Sequence, residues 1–164
     1  PTAALHFTKE IMKRLEIKGV EFGEMTVHSG LGSFRTIDVE DLSKHRMDAE
    51  YANIPEKLAN SINETKNKGK KVLAVGTSIM RGLESSVTSN GEVKPYDGWT
   101  NLFIYPPFDF NVANCMLTNF HVPKSSLLIM ACSFGGYDLI MKAYEEAMEK
   151  DYKFFTYGDC MLIL

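Results

Sequence analysis

Apolar and polar residues succeed one another along this chain in blocks of changing period, and the block from Lys71 to Ser86 organises the rest. Val72, Leu73, Ala74 and Val75 form a short unbroken apolar run, the pattern of a strand buried on both faces. Gly76-Thr77-Ser78 interrupts it, and Ile79, Met80, Leu83 and Val87 then recur at helical spacing. The pattern predicts a parallel strand running into a helix, with Thr77 or Ser78 as the N-cap. Such a turn offers free N–H groups and the positive end of a helix dipole to a negatively charged ligand group. The same three residues also serve as a plain tight turn with a cap.

The flanking blocks can be read in the same way. A helix is predicted from about Thr8 to Lys18, capped by Thr8, with Glu10 in its first turn, an apolar stripe of Ile11, Met12 and Leu15, and Gly19 at its end. Val20 to His28 reads as a strand of imperfect alternation. A glycine-rich loop, Ser29 to Arg35, follows; its lone GxG has no helix after it and fits neither a Rossmann fingerprint nor a Walker loop. Ala49 to Ile54 reads as a strand, and Pro55 opens a helix that ends near Lys68-Gly69 with Leu58, Ala59 and Ile62 inward. Ser89-Asn90-Gly91 and Pro95 to Gly98 mark a loop, and Trp99 to Tyr105 a strand stopped by Pro106-Pro107.

Val112 to Leu117 fits a strand or a short helix. Pro123 sets up a helix from Ser125 to Phe134, closed by Gly135-Gly136. Tyr137 to Lys150 reads as an amphipathic helix with Leu139, Ile140, Ala143, Tyr144 and Ala147 inward. Lys153 to Thr156 and Cys160 to Leu164 read as strands around a Tyr157-Gly158-Asp159 turn. Alternation of this kind predicts a layered α/β domain, a mixed sheet flanked by helices.

Composition narrows the function classes. The 164 residues are 45% hydrophobic, enough for a single domain, 1–164, with a substantial core. A net charge of −3 gives no general attraction to nucleic acid. Cys115, Cys132 and Cys160 are odd in number and far apart, which suits a reducing cytoplasm better than a disulfide framework or a zinc knuckle. The longest apolar run, Leu127 to Cys132, is too short to cross a membrane. None of the four histidines sits at HxxxH spacing, so no metal site is expected, and neither a GxSxG elbow nor a Cys–His signature is present. The opening Pro1-Thr2-Ala3 reads as the start of a piece of a longer protein.

Six motifs occur in one order: PTAALHFT (Pro1–Thr8), HSGLGSF (His28–Phe34), AVGTSIMRGLES (Ala74–Ser85), GWTNLFIYP (Gly98–Pro106), LTNFHVPKSSLL (Leu117–Leu128) and YKFFTYGDCML (Tyr152–Leu162). Together they resemble the C-terminal half of the S-adenosylmethionine:tRNA ribosyltransferase-isomerase family of queuosine biosynthesis, over essentially the whole chain. The resemblance implies an N-terminal portion, with a small β-barrel, that lies outside these residues. Several positions depart from the family pattern. Ala4 and Pro107 stand where glycine is usual, Ser29 where valine is usual, Met47-Asp48-Ala49-Glu50 replaces MHSE, and Gly82 also differs. These departures fall in loops of the implied site, and they leave a diverged paralogue or a non-catalytic nucleoside-binding or structural domain as the alternative.

The resemblance implies that S-adenosylmethionine acts as a ribosyl donor, a substrate rather than a cofactor. Its acceptor is the 7-aminomethyl-7-deazaguanine base of tRNA, and the product is epoxyqueuosine, with adenine and methionine released. The sulfonium acidifies the adjacent C5′–H, so a general base is needed there, and departing adenine needs a general acid. His28, His6, His121, Glu50 and Asp159 are the candidate proton carriers. The resemblance marks Thr2, Gly30, Gly32, Phe34, Asn119, Phe120 and Ser125 as candidate substrate-binding residues. Gly76, Thr77 and Ser78 join them and, with Arg81 one helical turn on, are expected to hold the methionine carboxylate of the donor. The alternative partner for Arg81 is Glu84 or another carboxylate. His28, just before Gly30 and Gly32, is expected to reach the sugar or the adenine. Eighteen Lys and Arg against 21 acidic residues, with the densest basic run at Lys66 to Lys71, predict that these residues alone do not modify tRNA.

Overall fold

In the computed structural model, which describes residues 1–30, 32 and 35–164, the strands divide between two three-stranded sheets. The first is antiparallel, in the order β1 (Thr26–His28), β2 (Glu50–Ile54), β4 (Tyr96–Thr100). Along β2 the period of two places Glu50, Ala52 and Ile54 inward and leaves Tyr51 and Asn53 half-buried on the other face. The second sheet is mixed: β3 (Leu73–Val75) runs parallel to β5 (Cys115–Asn119), which pairs antiparallel with β6 (Cys160–Ile163). The α/β class and the mixed sheet hold, with the strands shared between two sheets.

Helix α3 (Thr77–Glu84) lies where the two sheets meet, against β1 and β2 on one side and β3 and β5 on the other. Thr77, Met80, Arg81, Gly82, Leu83 and Glu84 are all buried in that position. Gly82 brings the helix close to the first sheet; an added Cβ would lie 3.5 Å from the Ala52 Cβ and 2.5 Å from the Met25 methyl. Met80 and Met116 are fully enclosed with Ile54, Ile104 and Ala131 in the core between the layers. Helices α4 (Ser126–Gly135) and α5 (Tyr137–Glu149) cover the second sheet and pack on each other across Gly136, whose φ of 83° is open to glycine at no steric cost. Helix α2 (Glu56–Asn67) lays Ala59 and Ile62 on the core. Helix α1 (Lys9–Ile17) is capped as expected, with the Thr8 hydroxyl oxygen accepting the Ile11 N–H at 3.2 Å, yet it buries none of its residues.

The structure departs from the sequence pattern in several places. Strand β3 is an edge strand with Leu73 40% exposed, so its apolar run is not buried on both faces. The N-cap of α3 is Gly76, not Thr77 or Ser78, which lie in the first turn. Of the run 20–28 only Thr26–His28 finds a partner strand. The strand expected over 99–105 is shifted back to Tyr96–Thr100, because the Pro95–Gly98 segment pairs with β2 instead of looping. The ambiguous stretch at 112–117 becomes strand β5, displaced to Cys115–Asn119. Residues 153–156 form no strand, and Leu139 of α5 points outward at 64% exposure.

Candidate functional site

The β3–α3 turn closes against β5, with the Gly76 N–H donating to the Leu117 carbonyl at 2.8 Å. Gly76 has φ 103°, and a Cβ there would fall 2.6 Å from the Pro1 Cβ, so only a glycine lets the first residues of the chain settle on the turn. That contact brings Thr2, in the 3-10 turn Thr2–His6, to this end of the second sheet, while His6 closes the same turn. No side chain caps α3 among the described residues, which leaves the N–H groups of its first turn without intrahelical partners. Ser78 reaches across to the glycine-rich loop, with its hydroxyl 3.4 Å from that of Ser29.

Arg81 is paired with Glu50 rather than with Glu84. The two side chains are 5% and 2% exposed, and they join α3 to β2. Glu50 also accepts the Gly30 N–H at 3.0 Å, so one carboxylate ties the central helix, the first sheet and the glycine-rich loop together. Burial pulls the Arg81 pKa below its ordinary value, and with a guanidinium the charge persists. Glu84 turns instead to the main chain, accepting the N–H groups of Asn111 at 3.1 Å and Val112 at 2.9 Å. Its pKa is raised by burial, against the pull of those hydrogen bonds. Gly32 lies over Asp48, since a Cβ there would sit 2.3 Å from the carboxylate, and Arg35 pairs with Asp48 at 3.3 Å. Phe34 lies outside the described residues.

A cleft of about 250 Å³ opens between the first turns of α3 and α4, lined by Thr77, Ser78, Arg81 and Ser126 and by the apolar Met47 and Phe103. Much of that space is open to solvent, and there is room for about one water-sized group, about 10 Å³ for its centre. Ser125 is spent on structure: its hydroxyl oxygen accepts the Leu128 N–H at 3.2 Å and its hydroxyl donates to the Val122 carbonyl at 2.7 Å. Ser126 beside it is 5% exposed, and its hydroxyl has no hydrogen-bond partner among the described residues. Sequence reasoning chose Ser125 as the substrate-binding hydroxyl and missed Ser126. The available signal was a second hydroxyl directly behind an N-cap.

The end of β5 carries the other polar cluster. The Thr118 hydroxyl lies 2.7 Å from His121 Nε2, and the His121 main-chain N–H donates to the Tyr144 hydroxyl at 2.7 Å. Burial lowers the His121 pKa to about 4 and pushes that of Tyr144 up to about 12. The His121 ring is therefore neutral at neutral pH. The Asn119 amide donates to the carbonyls of Phe155 at 2.9 Å and Gly158 at 3.4 Å, holding the 153–159 turn. Asp159 accepts the Lys153 N–H within that turn at 2.8 Å. Phe120 is 3% exposed inside an aromatic cluster, with ring centroids 5.1 Å from Tyr144 and 5.0 Å from Phe154.

His28 lies on the opposite face of the first sheet from Glu50, in register with Tyr51 and Trp99. The His28 and Tyr51 rings are 5.0 Å apart, and those of Tyr51 and Trp99 6.0 Å. The expected residues thus separate: Thr2, Ser78, Arg81 and Glu50 gather around α3, Asn119 and His121 lie at the end of β5, and His28 looks outward. Among the described residues no group of three or more His, Cys, Asp or Glu side chains converges to hold a metal ion. No single helix among them is long and apolar enough to cross a membrane.

Comparison with known proteins adds to this geometry. A family described as "Queuosine biosynthesis protein" matches residues 1–163. A Cytophaga hutchinsonii protein named S-adenosylmethionine:tRNA ribosyltransferase-isomerase is 57% identical over 164 residues, all of this chain and 47% of that protein. A Bacteroides fragilis protein of the same name is 56% identical over the same span and share. The crystal structure of a Thermotoga maritima S-adenosylmethionine tRNA ribosyltransferase superposes with a TM-score of 0.81 at 39% identity, covering 99% of this chain and 51% of that one. The chain spans about half the length of the relatives it matches.

Proposed function

Because the chain belongs to the family of queuosine biosynthesis proteins, we propose that it forms part of an S-adenosylmethionine:tRNA ribosyltransferase-isomerase. That reaction moves the ribosyl unit of S-adenosylmethionine onto the 7-aminomethyl-7-deazaguanine base of tRNA and rearranges it to epoxyqueuosine, releasing adenine and methionine. The observation that carries the reading is the meeting of separate polar segments at the carboxyl ends of the parallel pair β3–β5. Gly76 to Ser78 and Thr118 to His121 end these strands, and Ser29 and Gly30 reach the same helix through Ser78 and the Glu50–Arg81 pair. Ligands of α/β sheets bind outside such strand ends.

The surroundings of the proton carriers support a division of roles. His121, at the end of β5 with its Nε2 2.7 Å from the Thr118 hydroxyl, is assigned the base by its place among the converging segments, and a ring that burial holds neutral does not stand ready as an acid at neutral pH. His28, exposed at the end of β1 beside the glycine-rich loop, is assigned the acid that protonates departing adenine. Glu50 is committed to Arg81 and Gly30, and Asp159 to its own turn, so both act by holding structure.

The test places residues 1–164 in the Cytophaga hutchinsonii relative in exchange for the matching segment. Adenine release is then measured with S-adenosylmethionine and tRNA carrying the aminomethyl-deazaguanine base. Release by the chimera, none by the 164-residue chain alone, and a loss of about 10²-fold or more on His121→Ala or His28→Ala is the expected result. An inactive but folded chimera would count against the reading.

A further inference from the structure

We infer that the first turns of α3 and α4, with the Ser126 hydroxyl between them, seat the carboxylate of the donor, and that Arg81 positions this seat without ligating the carboxylate itself. The inference rests on the reading of the protein as an S-adenosylmethionine-binding enzyme, and it names the recognition of one group of that substrate. Two independent features converge. The cleft is bounded by two helix N-termini, one of them uncapped by any side chain among the described residues. Each such end carries unpaired N–H groups and about half a positive charge. Ser126 lines the same cleft, nineteen-twentieths buried, and its hydroxyl is unpartnered among the described residues. A buried hydroxyl without a partner costs stability, and a ligand oxygen that accepts its proton removes the cost.

Charge and size fix the class of ligand and the role of Arg81. The guanidinium is already matched by Glu50 in a buried pair, so an entering anion meets helix dipoles and hydroxyls more than a free cation. The cleft admits about one water-sized group, the size of a single carboxylate oxygen. Thr77, Ser78 and Ser126 supply hydroxyls around that point, and the second carboxylate oxygen remains toward the open side. Arg81 and Glu50 hold α3 against the first sheet and so fix where its N-terminus points.

The experiment measures binding of S-adenosylmethionine and of decarboxylated S-adenosylmethionine to the chimera with the Cytophaga hutchinsonii relative by calorimetry, with and without Ser126→Ala. The expected result is a Kd for S-adenosylmethionine weakened about tenfold or more, as loss of a hydrogen bond to a charged group brings. The Kd for the decarboxylated compound should stay within about twofold. The melting temperature should hold or rise, because the variant removes an unpaired buried hydroxyl, and a merely structural Ser126 would lower it instead. Equal weakening of both ligands, or unchanged affinity for S-adenosylmethionine, overturns the inference while leaving the enzyme reading intact. Failure of the unaltered chimera to bind either ligand overturns both.

Discussion

Removing the Glu50 carboxylate should leave Arg81 as a buried charge with its principal counter-ion gone. The pair lies at 2% and 5% exposure, so solvent screening gives little relief, and breaking such a pair from one side costs about 3–5 kcal/mol. The Gly30 N–H also loses its acceptor, but Gly30 is exposed and rehydrates, so this adds well under about 1 kcal/mol. A loss near 4 kcal/mol is a large part of the roughly 5–15 kcal/mol that stabilises a domain. At about 2–4 °C per kcal/mol, Glu50→Ala should lower Tm by roughly 8–16 °C. Urea unfolding followed by far-UV circular dichroism measures it. The double variant Glu50→Leu, Arg81→Met removes both charges and should recover to within about 1 kcal/mol of the starting protein. A loss below about 1 kcal/mol for Glu50→Ala, or a double variant no more stable than the sum of its single changes, would refute the account of the pair as a buried and coupled one.

The histidine and glycine positions give further expectations. His121 has a folded pKa of about 4 against an ordinary 6.5, so its contribution is present above pH 6.5 and lost as pH falls through 4. The loss is at most about 3 kcal/mol at 1.36 kcal/mol per pKa unit, and His121→Gln should flatten the urea midpoint between pH 7 and pH 4. Glu84 runs the other way: its raised pKa makes its contribution fall as pH rises above the ordinary carboxylate range, and Glu84→Gln should remove that dependence. Gly76→Ala meets both a φ of 103° and the Pro1 ring and should cost about 1–3 kcal/mol. Gly82→Ala, in a helix interior where only the mobile end of Met25 must give way, should raise stability by up to about 1 kcal/mol; thermal melts of the two variants check the pair.

Some local chemistry was legible in the sequence where a single turn decides the outcome. Thr8 caps its helix and Gly136 separates α4 from α5, because capping and left-handed backbone depend on residues within a few positions, although the cap of α3 fell on Gly76 rather than on the hydroxyl after it. Pairing between distant segments was not legible. Nothing near Trp99 says that Tyr96–Thr100 finds β2, and nothing near Leu73 says that its strand lies at an edge. The Arg81 partner failed for the same reason: Glu84 is the local choice, whereas Glu50 lies 31 positions away and is brought in by the packing of α3 on β2. Ser126 shows the limit for sites, since a hydroxyl is recognised as unpaired only once its surroundings are known.

Trp99, the chain's one tryptophan, stands 68% exposed at the end of the row that begins with His28. Its indole is therefore already largely hydrated in the folded protein, and its fluorescence maximum should move little when the chain unfolds. Intrinsic emission would then under-report the loss of the methionine-rich core around Met80 and Met116, which contains no tryptophan at all. The same exposure makes Trp99 a selective optical reporter for events on the outer face of the first sheet, where any surface that excludes water from the ring shifts its emission to the blue.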